Sequence, residues 1–359
     1  MLPLSEVNMT RKVRIGRTVI GGGMPVLVQS MTNTRTSDVK ATVAQIKRLE
    51  AAGCEIIRCG VPDMDSAKAL KQIKKKMKIP LVADIHYDYR LAIEAMKSGA
   101  DKIRINPGNI GGAEKITEII EAAKERGCAV RIGVNSGSLK EVRSPESGVR
   151  SQNKIANAMI ASLLEYIEFF EMHDFADIVV SLKASNVMTT IEAYKLFSKI
   201  KDYPMHIGVT ESGTELGGTI KSSVGLGILL SQGIGDTMRV SLTAEPEREI
   251  YTAYRILAAL GLRRRGPDII SCPTCARTEI DVIKLAHDVE KMTFDIEKPV
   301  KIAVMGCSVN GPGEAAHADI GVCGGRGVGL IFKNGKIVKK VIKKNLLKEF
   351  RKELNKILK

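Results

Sequence analysis

Three cysteines toward the end of the chain have the spacing of a soft-metal centre. Cys272 and Cys275 stand in "SCPTCAR", and Cys307 stands in "AVMGCSVNGPGEAAHADIGVCGG". A Cys-x-x-Cys loop lets two thiolates grip one centre, and a distant third Cys among glycines lets the backbone approach it closely. The fourth ligand is open between Glu314, after a Gly-Pro-Gly turn, and Cys323 in "IGVCGG". Structural zinc with four Cys usually shows two short knuckles, and Cys307 and Cys323 are too far apart to make the second. The small residues around Cys307, Gly311 and Gly313 leave room for a bulky iron–sulfur cluster, with zinc or a redox dithiol as alternatives. Cys54, Cys59 and Cys128 read as small buried fillers. The count of 7 cysteines is odd for a pure disulfide framework, so a reducing compartment and metal or redox chemistry fit better.

A second set of residues could hold an anion. In a strand, alternate residues face opposite sides, so "KIRIN" puts Arg104 and Asn106 on one face and Ile103 and Ile105 on the other. The same parity groups Arg131 with Asn135, Lys183 with Ser185, Arg239 with Ser241, and Asp84 with His86; Arg58 and His206 join them from their own strands. If the apolar faces meet helices, these polar residues face inward. Unpaired cations there would repel one another, and a multiply charged ligand such as a diphosphate relieves that cost. The competing reading pairs each cation with a carboxylate such as Asp84, Asp63 or Glu211.

Eight apolar runs must carry these residues: 26–31, 56–61, 81–86, 102–107, 129–135, 178–185, 205–211 and 237–243. Between them lie stretches such as "SDVKATVAQIKRLEAAG", "GGAEKITEIIEAAKERG" and "EPEREIYTAYRILAALG", with helical apolar spacing and a closing Gly. The alternation predicts an α/β fold, a (β/α)8 TIM barrel over residues 1–264, with an open doubly wound sheet as runner-up. The glycines at 21–23 and 217–227 form no dinucleotide fingerprint. "RRRGPD" reads as a linker to a smaller α+β domain, 265–359, in which "IFKNGKIV" is a hairpin with an Asn-Gly turn.

With 359 residues and 44% apolar types the chain can build more than one core. No apolar stretch reaches membrane-helix length, and the N-terminus lacks the apolar core of a signal peptide, so the expectation is a cytoplasmic protein with no membrane contact. The net charge of +15 suggests acidic partners or anionic ligands. With 4% aromatics, no Trp and no binding module, nucleic acid is not expected as a partner. The lysine runs of "KQIKKKMK" and the C-terminal stretch read as solvated helix faces.

Taken in order, "PVLVQSMTNTRTSD", "RINPGN", "RIGVNSGSL", "SLKAS", "GVTESG", "MRVSLT", "SCPTCAR" and "MGCSVNGPGEA" resemble the bacterial 4-hydroxy-3-methylbut-2-enyl diphosphate synthase family, from about residue 10 to about residue 330. The resemblance implies reductive opening of 2-C-methyl-D-erythritol 2,4-cyclodiphosphate, in the non-mevalonate isoprenoid pathway. It implies a TIM barrel followed by an iron–sulfur domain resembling part of sulfite reductase, in the short two-domain form. It assigns the diphosphate to Arg58, Arg104, Arg131, Lys183, His206 and Arg239, helped by Asn135, Ser185 and Ser241, with His86 and Asn106 from the same inner faces. Glu211, expected past its strand end, would deliver a proton near the reacting carbons. A 4Fe-4S cluster would be held by Cys272, Cys275, Cys307 and Glu314, which leaves Cys323 a packing residue. Electrons would come from a flavodoxin or ferredoxin, and a head-to-tail homodimer would bring each cluster to the partner's barrel. Rival readings are a non-catalytic sugar-phosphate-binding barrel with structural zinc, and an aldolase-type barrel using Lys183 as a Schiff base.

Overall fold

A short antiparallel hairpin, β1 (Val13–Ile15) and β2 (Thr18–Ile20), precedes eight parallel strands. These are β3 (Leu27–Met31), β4 (Ile56–Gly60), β5 (Leu81–Asp84), β6 (Lys102–Ile105), β7 (Ala129–Asn135), β8 (Ile178–Lys183), β9 (His206–Ile207) and β10 (Thr237–Met238). The structure is a computed structural model that describes residues 9–135 and 149–359. Strand order is β8-β7-β6-β5-β4-β3-β10-β9, and a parallel bridge from Val180 of β8 to Met205 joins the two ends. The closed parallel barrel, not the open sheet, is therefore the architecture. Its helices begin and end where local chemistry dictates. Asp38 accepts from Ala41 N to open the helix Val39–Ala52, and Gly53 closes it at φ 105°, a backbone shape that costs a residue without Cβ little.

The last two strands are shorter than the sequence predicts because side chains replace part of their ladder. Ser212 Oγ donates to Ser241 O, and Leu242 N donates to Glu249 Oε1 at 3.0 Å.

Alternation sorts every barrel strand. Ile103, Ile105, Val130, Ile132 and Val180 face outward into the main core with the helices. The hairpin's Val13, Ile15 and Ile20 plug the bottom of the barrel against Ile56, Val82, Ala129 and Val179. Following the pairing registers around the ring, with the shear of about one residue per strand expected of a closed eight-stranded barrel, sorts the inward residues into layers. Ile56, Lys102, Val179 and Thr237 form the lowest full layer. Above it lie Gln29, Val82, Arg131 and His206, and above those Arg58, Arg104, Ser181 and Arg239. Met31, Asp84, Gly133 and Gly208 follow, then Gly60, Asn106, Lys183 and Ser241 at the mouth.

The chain divides into two compact units, one ending at Arg263 and the other Arg264–Lys359. The second is a five-stranded sheet in the order β11 (Pro267–Ser271), β12 (Val300–Met305), β13 (Ile320–Gly325), β14 (Val328–Lys333), β15 (Lys336–Ile342), parallel for its first three strands and antiparallel thereafter. Helices Val282–Thr293 and Leu346–Leu358 pack Val289, Phe350 and Leu354 onto Ile302, Val322 and Ile331. The hairpin expected at Asn-Gly is present, with φ 46° at Asn334 and 76° at Gly335, the two positive angles that such a turn requires. Among the described residues no helix is long and apolar enough to cross a membrane.

Candidate active site

The inward cations meet around a single acid. Asp84, at the end of β5, lies 3.3 Å from Arg104 Nη1, 3.3 Å from His86 Nε2 and 3.8 Å from Arg58 Nε. Burial by itself would raise the Asp84 carboxyl, but Arg58, His86, Arg104 and Arg131 outweigh it and hold the group well below the usual carboxylate range. Arg58 also turns Nε and Nη2 onto Met31 Sδ at 3.1 and 2.9 Å, a weak acceptor for a guanidinium. Arg131 is buried directly beneath, and its Nε and Nη1 have no hydrogen-bond partner among the described residues. Burial, then Arg58 and Arg104, depress its pKa far below the ordinary arginine value. The Lys183 ammonium is lowered in the same way by burial and by Arg131 and Arg58.

His206 is fully buried in the layer of Arg131. Its Nδ1 lies 2.9 Å from Thr237 Oγ1, and its Nε2 has no partner among the described residues. Burial, then Lys183 and Arg131, push its pKa well below 6.5, so the ring is neutral. Two glycines make room for the cations. A Cβ on Gly133 would stand 3.1 Å from Arg104 Nε and from Ser181 Oγ, and one on Gly208 would stand 2.7 Å from Lys183 Nζ.

Three placements differ from the sequence expectation. Arg239 has an acid of its own, since Glu249 accepts from its Nη2 at 3.2 Å and its Nε at 3.3 Å. Glu249 was missed; the available signal was a carboxylate on the same helical stripe as Ala253 and Leu257, which are both buried. Ser185 is exposed beyond the end of β8, so strand parity does not carry it inward. His86 is likewise exposed past β5, although its ring still reaches Asp84. Of the other acids named as possible partners, Asp63 caps the helix Met64–Lys74 by accepting from Ser66 N.

Asn135 pairs in register with Lys183 at the ends of β7 and β8, and Ser241 lies half-buried past β10. Asn106 is buried at the start of the short helix Pro107–Ile110. Glu211 lies past the end of β9, exposed, with φ 51°. A left-handed backbone at a non-glycine residue is uncommon and concentrates where geometry serves function.

In the second unit Cys272 and Cys307 follow the ends of the parallel neighbours β11 and β12, so both sit at one end of the sheet. Cys272 Sγ accepts from Gly306 N at 3.1 Å, which brings it beside the residue preceding Cys307. Cys275 is exposed in the loop, and the Arg277 backbone and side chain lower its thiol pKa. Cys323 lies inside β13, fully buried against Phe332, and Gly311 backs onto its sulfur so closely that a Cβ there would stand 2.5 Å away. Burial, then Cys307 and Glu279, push the Cys323 thiol up to about 12. Burial likewise raises Cys54 to about 12, Cys59 to about 11 and Cys128 to about 12, as suits packing residues. Glu314 ends the π-helical turn Asn310–Glu314, but its side chain lies outside the described part of the structure. Among the described residues no three His, Cys, Asp or Glu side chains converge as on a single ion. An iron–sulfur cluster spreads its ligands over several irons, and a backbone N–H aimed at Cys272 Sγ suits a cluster thiolate.

Comparison with known proteins places this geometry. Solved dihydropteroate synthases share the barrel: that of Yersinia pestis at TM-score 0.51 and 14% identity, covering 70% of this chain and 97% of that one, and that of Stenotrophomonas maltophilia at 0.53 and 15%, covering 70% and 98%. At such identity the likeness concerns the fold alone. Among curated proteins, the "4-hydroxy-3-methylbut-2-en-1-yl diphosphate synthase (flavodoxin)" of Caldanaerobacter subterraneus is 57% identical over 98% of this chain and 98% of its own. Those of Anoxybacillus flavithermus and Geobacillus kaustophilus are each 53% identical, over 99% and 98% of this chain and 97% and 92% of theirs. Residues 10–254 match the GcpE TIM-barrel domain and residues 268–356 the GcpE protein C-terminal domain, so the chain belongs to the GcpE family.

Proposed function

We propose that this chain reductively opens 2-C-methyl-D-erythritol 2,4-cyclodiphosphate to 4-hydroxy-3-methylbut-2-enyl diphosphate, in isoprenoid precursor biosynthesis. Family membership supports the activity, and one observation carries the substrate class: buried cations from successive barrel strands outnumber the acids that face them, and several of their N–H groups have no partner among the described residues. A diphosphate brings both the negative charge and the acceptor oxygens that this arrangement requires.

Arg58, Arg104, Arg131, Lys183, His206 and Arg239 hold the diphosphate, with Asn135, Ser185 and Ser241 at the mouth and His86 and Asn106 beside them. The reaction consumes two electrons and two protons and releases the C3 oxygen as water. Glu211, positioned at the mouth by its left-handed turn, gives a proton to that departing oxygen. Cys272, Cys275 and Cys307 hold a 4Fe-4S cluster with Glu314 as the fourth ligand. When bound, such a cluster supplies electrons singly together with Lewis acidity. The electrons come from a flavodoxin or a ferredoxin, acidic proteins that suit a chain of charge +15.

The test is anaerobic. Purified protein should be brown, absorb broadly near 400 nm, and turn over the cyclodiphosphate with a chemical reductant. Colourless, zinc-containing protein that binds the cyclodiphosphate without converting it would overturn the reading in favour of a binding barrel.

A further inference from the structure

The barrel holds one more cation than the diphosphate reading uses. Lys102 opens β6, faces inward by the same alternation as Arg104, and is fully buried. It shares the lowest layer with Ile56, Val179 and Thr237, directly beneath Arg131, His206 and Gln29. Its Nζ has no hydrogen-bond partner among the described residues. The same holds for both amide atoms of Gln29, Nε and Nη1 of Arg131 and Nε2 of His206, in side chains at most 1% exposed. Beneath them the hairpin plug is apolar, so the polar direction open to the ammonium is toward the mouth.

Among the described residues no acid in these two lowest layers balances the charge. The charged and titratable neighbours of Lys102 are Arg131, Arg58, His206 and the Cys128 thiol. Asp84, two layers higher than Arg131, is already shared by Arg58, His86 and Arg104. A buried ammonium without a counter-charge costs several kcal/mol, and burial, then Arg131 and Arg58, accordingly lower the Lys102 pKa well below its ordinary value. An anion entering here restores the charged form, and these unpartnered groups are rich in donors and poor in acceptors.

We propose that Lys102 is the innermost phosphate-binding residue of the site. With Arg131, Gln29 Nε2 and His206 Nε2 it takes the phosphate group that enters deepest. His206 donates from Nε2 in the tautomer whose Nδ1 accepts from the Thr237 hydroxyl, 2.9 Å away. Asp84 engages Arg58 at 3.8 Å and Arg104 at 3.3 Å, higher in the barrel, which leaves the deeper Lys102 and Arg131 to the ligand. This inference rests on the diphosphate reading above and adds to it a residue and a depth.

The experiment is calorimetric titration of inorganic pyrophosphate into the full-length protein at pH 7, comparing wild type with Lys102→Met and Lys102→Gln. Thermal midpoints are taken on the same samples. Both variants should bind at least tenfold more weakly, with the midpoint of Lys102→Met unchanged or raised because a buried polar group without a partner has gone. Affinity within twofold of wild type in a folded variant overturns the proposal. If neither variant folds, wild-type crystals soaked in pyrophosphate decide. A phosphate oxygen at hydrogen-bond distance from Lys102 Nζ is expected, and a pyrophosphate held only by Arg58, Arg104 and Lys183 overturns it. Wild-type protein that binds neither pyrophosphate nor the cyclodiphosphate refutes the diphosphate reading itself, and the role of Lys102 with it.

Discussion

Asp84 and Glu249 show how the same chemistry, a carboxylate beside an arginine, serves two purposes in one barrel. Glu249 grips Arg239 and also accepts from Leu242 N, so it is structural as well as electrostatic. Glu249→Gln should cost about 2 kcal/mol by weakening a mostly buried pair, measurable as a lower urea midpoint; an unchanged midpoint would mean that Arg239 finds another partner. Asp84 acts on the pH dependence. Its folded pKa lies below the unfolded value of about 3.9, so its contribution is complete above that value and is lost as pH falls below it. Asp84→Asn should therefore flatten the acid limb of the stability curve between about pH 4 and pH 2; equal slopes in variant and wild type would contradict the pairing. If the second unit holds the proposed cluster, Cys323→Ser should keep the brown chromophore and most turnover, whereas Glu314→Ala should make the cluster labile and damage turnover severely. The reverse pattern would exchange the two ligand assignments.

At the level of elements, two features absent from the alternating pattern shape the site. The hairpin β1–β2 seals the barrel floor, and Ile15 is fully buried there. Ile15→Ala should destabilise by about 3 kcal/mol, read from denaturant unfolding, and a loss under 1 kcal/mol would mean that the plug collapses around the missing atoms. Gly208, just past β9, leaves space that a Cβ would take from Lys183 Nζ at 2.7 Å and from Arg239 O at 2.6 Å. Gly208→Ala should both destabilise by about 2 kcal/mol and weaken pyrophosphate binding, because Lys183 must move; wild-type affinity would show that Lys183 reaches the ligand from elsewhere. Neither feature was legible beforehand. A three-residue strand carries too few alternations to stand out, and a glycine inside an apolar run says nothing of what passes beside it.

For the whole molecule, the remaining proposal is the head-to-tail homodimer that the family resemblance implies. In that proposed assembly each chain's cysteines serve the partner's barrel. Mixing Cys275→Ser with Arg104→Leu chains should then restore activity that neither has alone, whereas a fully active monomer by light scattering would sink the arrangement. The sequence by itself determined whatever depends on neighbours along the chain: the eight alternating runs, helix ends at Gly53 and Gly127, the inward parity of Arg58, Arg104 and Arg131, and the cysteine spacing. Parity is local because successive side chains leave a strand on opposite faces whatever the fold. Tertiary structure alone decided which acid meets which cation, because Glu249 reaches Arg239 from a helix and Asp84 reaches Arg104 across a ladder. It also decided that Lys102, unremarkable at the start of an apolar run, becomes a buried amine with no partner among the described residues beneath Arg131, since only closure of the barrel and its shear turn separate strand positions into stacked layers.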